Sequence, residues 1–225
     1  MSLVNFSVTP SAILVSVDTL GGSRGHHLHC NKLFPIPGGN MLLCGRGSLG
    51  LMARAAELCG FLPGLDEAKE QLPRELPGLL RRLTITAFLC GLPKCAFLGG
   101  QEIYLFGWSE QYGEMTALQF RKGPGRSAWT VDDELVDLAA PRTDTDDFPA
   151  PGNKTAMRNL ARAQIAIGKR DYPGVPIGGR LLFAELTRYR LQVEDCGPIN
   201  DAPCESRPMI AGVPSRHARP AILSD

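Results

Sequence analysis

The sequence predicts an α+β protein, a layered sandwich with antiparallel sheets inside and helices outside. Three observations predict it. Apolar residues make up 44% of the 225-residue chain, enough to bury the core of one sizeable domain. The strand-like segments arrive in pairs split by short turn signals, which suits hairpins better than parallel crossovers. The order is strands, two helices, strands, one helix, strands, so each helical block has a sheet to cover.

The elements follow from residue pattern. VNFSV (4–8) and AILVSVD (12–18) are rich in β-branched residues and are divided by the turn Thr9-Pro10-Ser11. Gly21, Gly22, Ser23 and Gly25 read as a loop. KLFPI (32–36) and MLLCG (41–45) read as two further strands about Pro37-Gly38-Gly39-Asn40, and the four segments together as an antiparallel meander. In SLGLMARAAELCGF, Leu49, Met52, Ala53, Ala56 and Cys59 recur at helical spacing and Gly60 offers a stop. Residues 65–83 are also helical, with Asp66, Glu67 and Glu70 early and Arg81 and Arg82 late, as the helix dipole favours. Pro73 and Pro77 are expected to interrupt or kink that helix.

LTITAFLCG (83–91), EIYLFGWSE and EMTALQFRK then read as strands, the last two as a hairpin about Gln111-Tyr112-Gly113. The pattern weakens from Lys122 to Asn153. NKTAMRNLARAQIAIGKR is a helix whose Met157, Leu160, Ala161, Gln164, Ile165 and Gly168 share one face. RLLFAELTRYRLQVED holds one or two strands. The last thirty residues, from Cys196, contain five prolines and no periodicity. The expected organisation is one domain over 1–195 and an irregular arm over 196–225.

Bulk chemistry excludes several classes. The net charge is +1, with 24 basic and 23 acidic residues, which does not suit a dedicated nucleic-acid binder. No apolar run reaches membrane-spanning length, and MSLVNFSVTP lacks the basic and apolar regions of a signal peptide. Several of the seven cysteines, among them Cys44, Cys59 and Cys90, sit in apolar runs. They read as reduced core thiols of a cytoplasmic protein. Cys196 and Cys204 flank a proline-rich stretch where pairing or metal binding is open.

Residues 13–47 carry a resemblance. An apolar strand ends in an acid (ILVSVD, Asp18), a glycine-containing loop follows, a lysine opens an apolar strand (KLFPI, Lys32), and another apolar strand ends in glycine before a helix (MLLCGRGSLGLM, Gly45). This series resembles the first third of proteasome β-type subunits and of their bacterial relative, the HslV peptidase. IYLFGWSEQYGEMTALQF resembles that family's later hairpin, and IGGRLLFAELTR more loosely its terminal strands.

The resemblance implies a four-layer αββα sandwich of antiparallel sheets and an N-terminal nucleophile (Ntn) hydrolase. In such chemistry a hydroxyl on the first residue uses its own α-amine as base, and that amine titrates near about pH 7.7–8.0. Carried onto this chain, Ser2 is the nucleophile after Met1 removal, Asp18 the acid, Lys32 the lysine and Gly45 the oxyanion glycine. Leu43, Cys44 and Arg46 lie toward the substrate. The family normally uses threonine, and this chain has Ser-Leu. Ser2 is thus either a nucleophile or an ordinary second residue on a subunit without activity. The family's Gly-Ser-Gly element before its third helix has no counterpart before NKTAMRNL.

Two functions stay open at this stage: an amide-bond hydrolase acting on peptides, and an inactive ring-forming or phage-type assembly protein. Both imply self-association as a ring or dimer, with no nucleic-acid or membrane partner. GRGSLG offers a third, a dinucleotide loop of the form G-x-G-x-x-G after a strand and before a helix. That reading needs a parallel strand after the helix, where the sequence supplies more helix. No cofactor is expected. His26, His27, His29 and Cys30 are metal-ligand types, but an extended chain sends alternate residues to opposite faces, and no metal site is expected there.

Overall fold

A computed structural model describes residues 2–23, 26–91, 99–126, 128–141, 153–172, 176–199 and 207–209, with Ser23, His26, His27 and 207–209 described by backbone alone. The fold is α+β, with three helices and three antiparallel sheets among these residues. Strands β1 (Val4–Val8) and β2 (Ala12–Asp18) pair as the first hairpin. They join β10 (Asp137–Ala140), β11 (Arg180–Thr187), β12 (Leu191–Pro198) and β13 (Arg207–Met209) in a six-stranded sheet of order β10-β1-β2-β11-β12-β13. A five-stranded sheet runs β5 (Phe34–Ile36), β6 (Met41–Arg46), β7 (Gln101–Ser109), β8 (Glu114–Lys122), β9 (Thr130–Asp132). β3 (Leu20–Ser23) and β4 (His26–His29) form a separate two-stranded sheet.

Strand alternation builds three cores. Val4, Phe6, Val15 and Val17 of the six-stranded sheet pack on Leu42, Cys44, Tyr104 and Phe106 of the five-stranded sheet. The Phe6 and Phe106 rings meet edge to face, 5.1 Å apart at 68°. The residues one step along point the other way. Leu43, Ile103, Leu105 and Phe120 pack on helices α1 (Leu49–Cys59) and α2 (Leu65–Leu89). On the far side, Leu14, Leu181 and Phe183 meet helix α3 (Lys154–Asp171). The layers therefore run helix pair, five-stranded sheet, six-stranded sheet, helix.

Helix α3 buries the six residues its periodicity places on one face, and Asn153 caps it by accepting the Ala156 N–H at 2.8 Å. Its Gln164 is fully buried and exchanges two amide hydrogen bonds with Asn5 of β1, at 2.8 and 2.9 Å. A polar residue on an apolar face is thereby satisfied.

The chain departs from the sequence-based expectations in five places. The four amino-terminal segments are not one meander: β1–β2 belong to one sheet and β5–β6 to the other. The glycines from 21 do not form a simple loop, since Leu20–Ser23 pairs with His26–His29. Helix α2 runs unbroken through Pro73 and Pro77, because Leu65, Ala68, Leu72, Leu76 and Leu80 anchor its inner face while Pro73 and Pro77 lie outside that row. Residues 83–89 are its last turns rather than a strand. There the hydroxyls of Thr84 and Thr86 bond back to the Leu80 and Arg82 carbonyls, at 2.8 and 3.0 Å, so β-branched residues are accommodated in a helix. Finally, β12 continues through Cys196 to Pro198, past the expected boundary at 195, and pairs with β13. Cys204 and the rest of the arm lie outside the described residues.

Candidate active site

Asp18 closes β2, the strand held between β1 and β11. Alternation turns it away from the inter-sheet core that takes Val15 and Val17. Its carboxylate is fully buried. Lys32, 3% exposed, reaches it from the segment leading into β5, with Nζ 2.6 Å from Oδ1. The Lys32 ammonium also donates to the Leu20 carbonyl at 2.5 Å. Oδ1 accepts a further hydrogen bond from the Leu3 N–H at 3.0 Å, and Oδ2 accepts one from the Gly178 N–H at 2.9 Å. An ion pair taken out of water is costly unless its remaining valences are filled, and here both carboxylate oxygens are occupied.

A cavity of about 780 Å³ opens beside this pair, and both Ser2 and Lys32 line it. Ser2 is chain neighbour to Leu3, whose N–H is bound by Asp18. Ser2, Asp18 and Lys32 are thus gathered at one place. Arg46 lines the same cavity.

Three other residues singled out from sequence lie elsewhere. Leu43 has no exposure and belongs to the core under α1 and α2; Cys44 has none and belongs to the inter-sheet core. Neither side chain can touch a substrate. Gly45 sits within β6 opposite Ile103, and a Cβ there would lie 2.3 Å from the Glu102 carbonyl and 2.9 Å from the Met52 sulfur. Its missing side chain lets helix α1 approach the sheet.

The GRGSLG glycine that does line the cavity is Gly47, two residues further on, with φ at +123° as the chain leaves β6 for α1. The Gln101 side chain accepts the next N–H, that of Ser48, at 2.8 Å, and Ser48 caps α1. Gly47 was visible in GRGSLG as the residue just before a helix-capping serine. Gly178 carried no comparable signal, because its contact with Asp18 spans 160 residues of sequence.

The cavity wall is charged. Arg46, Glu102 and Arg121 stand opposite one another on β6, β7 and β8. The Glu102 carboxylate lies 3.1 Å from Arg46 and 3.7 Å from Arg121, and accepts the Tyr104 hydroxyl at 3.2 Å. Burial, and then the Glu102 charge, push the Tyr104 phenol well above its ordinary value. Cys30 also lines the cavity; burial raises its thiol pKa against the opposing pull of Lys32.

His29 pairs its Nδ1 with the Thr19 hydroxyl at 3.1 Å. The side chains of His26 and His27 lie outside the description, and among the described residues no three His, Cys, Asp or Glu gather as a metal site. The strand next to β6 after GRGSLG is β7, and it is antiparallel, with α2 between α1 and β7. A dinucleotide-binding βαβ unit is therefore not formed there. Among the described residues no helix is long and apolar enough to cross a membrane. No protein-family model matches the chain, and no curated protein matches it in sequence.

Proposed function

We propose that the chain is an amide-bond hydrolase of the N-terminal-nucleophile type, related to the proteasome-like peptidases that residues 13–47 resemble. The observation that carries this reading is the buried Asp18–Lys32 pair beside a cavity that also takes Ser2. The layer order agrees with the four-layer sandwich of that class. With Met1 removed, the Ser2 α-amine takes the hydroxyl proton as Oγ attacks the substrate carbonyl. The Lys32 ammonium favours the developing alkoxide, and Asp18 keeps Lys32 charged and in place. A cavity-wall N–H serves the oxyanion, and Gly47 replaces Gly45 in that role. The C–N bond breaks as the proton passes to the leaving amine, and water then hydrolyses the serine ester.

Intact-mass measurement of the purified protein is expected to show loss of Met1. A serine/threonine-reactive electrophile is then expected to label the wild type, and Ser2→Ala to lose labelling and peptide cleavage by about a thousandfold or more. Retained Met1, or equal labelling of both proteins, would end the hydrolase reading.

The second reading, an assembly protein without chemistry, draws on one feature. Phe88 and Leu89 at the end of α2 are 61% and 76% exposed, apolar surface that association would cover. Retained Met1 with a defined oligomer in light scattering would favour it.

A further inference from the structure

We infer that this cavity selects a peptide segment bearing carboxylate side chains. The inference rests on the hydrolase reading for the word peptide, and on the charge of the wall for the word carboxylate. Among the described lining residues, Lys32, Arg46, Arg121 and Lys122 are cationic and Glu102 alone is anionic.

The balance is not cancelled by pairing. Lys32 is neutralised from behind by Asp18. Arg46 and Arg121 share the single Glu102 carboxylate, one on each side, so the cross-strand row keeps an excess positive charge. Lys122, next to Arg121 at the end of β8, also lines the cavity, although strand alternation sets it off the Arg46–Glu102–Arg121 row. Glu102 is itself engaged by two arginines and the Tyr104 hydroxyl, so its capacity to attract a basic substrate is spent within the wall.

Arg121 is 62% exposed and Arg46 is 29% exposed, so both side chains remain accessible at the cavity wall while paired with Glu102. A planar guanidinium held in this way presents paired N–H groups that match a carboxylate. A cavity of about 780 Å³ holds a few residues of extended chain, more than a free inorganic anion fills. A basic peptide would meet like charge over the same surface, so the wall both attracts and excludes.

The test uses the full-length protein and three fluorescein-labelled peptides of equal length, with central Glu-Glu, Gln-Gln or Lys-Lys, read by anisotropy. The Glu peptide is expected to bind about tenfold or more tighter than the Gln peptide, since each hydrogen bond between charged groups is worth about that factor. The Lys peptide is expected to bind weakest, and the gap to narrow between about 50 and 200 mM salt. Lys122→Glu, at a position that carries no described ion pair, is expected to weaken the preference with an unchanged circular dichroism spectrum. Arg121→Gln, which removes the more exposed guanidinium of the row, is expected to remove most of it.

Equal binding of the Glu and Gln peptides, or a preference that survives Lys122→Glu and Arg121→Gln, would overturn the inference. Displacement of the labelled Glu peptide by inorganic phosphate at the same concentration as by unlabelled Glu peptide would make this a small-anion site and overturn it equally. Ser2→Ala separates the two proposals. Loss of cleavage in that variant bears on the hydrolase reading, while the Glu-over-Gln binding ratio is expected to persist whether or not the wild type cleaves.

Discussion

Asp18→Ala is expected to destabilise the protein by about 3–5 kcal/mol, the cost of stranding one member of a buried ion pair. The reasoning starts from occupancy. The substitution removes the acceptor for the Lys32 ammonium and for the N–H groups of Leu3 and Gly178 at once. Among the described residues Lys32, at 3% exposure, then keeps only the Leu20 carbonyl. Urea unfolding gives the magnitude. Combining the change with Lys32→Met is expected to cost less than the sum of the two singles, because the stranded charge leaves with its partner. The Leu3 amide should also lose hydrogen-exchange protection, which would link the pair to the position of the amino end. A loss under about 1 kcal/mol would mean that water reaches Asp18, and the site would then lack the dry, fixed lysine that the proposed hydrolysis needs.

The second large effect concerns the junction between the sheets. Phe106→Ala is expected to cost about 3–5 kcal/mol, since a fully buried ring is lost and its space is only partly refilled. The ring packs against Phe6 of the opposite sheet, and Phe6 also lies 5.4 Å from Tyr104. A double-mutant cycle of Phe6→Leu and Phe106→Leu is expected to give a coupling of about 0.5–1.5 kcal/mol. Additive effects would show that the two faces do not meet where Phe6 and Phe106 place them.

Legibility in the sequence followed the range of the interaction. The buried face of α3 could be read residue by residue, because helical period and burial are local properties. So could the β7–β8 hairpin, set by a short polar turn. Asp18 and Lys32 were legible as a pair through the ordered motif around them, and they lie only 14 residues apart. Distribution of strands between sheets was not legible. The neighbour of β2 on one side is β11, where Asp18 stands opposite Leu181, and no local signal carries that pairing. LTITAFLCG misled because β-branched residues favour strands on average, whereas here a long helix already anchored on the sheet extends through them. Gly45 shows the same limit: a glycine held by close helix–sheet packing and one on a cavity wall look alike in sequence.

The division into layers has a practical consequence for following how this molecule comes apart. Among the described residues each core holds one cysteine: Cys44 between the sheets, Cys59 beneath α1 and α2, Cys196 beneath α3. Burial pushes the Cys59 thiol from 9.0 up to about 12 and raises the other two as well. Well below pH 9 all three stay protonated in either state; as pH approaches and passes 9 the unfolded chain ionises first, so rising alkalinity weakens the fold. At neutral pH, pulse alkylation in mild denaturant should tag Cys90, which is exposed, at once, and Cys44 last. Three native thiols thus time-stamp the opening of three interiors, with no dye or engineered reporter added.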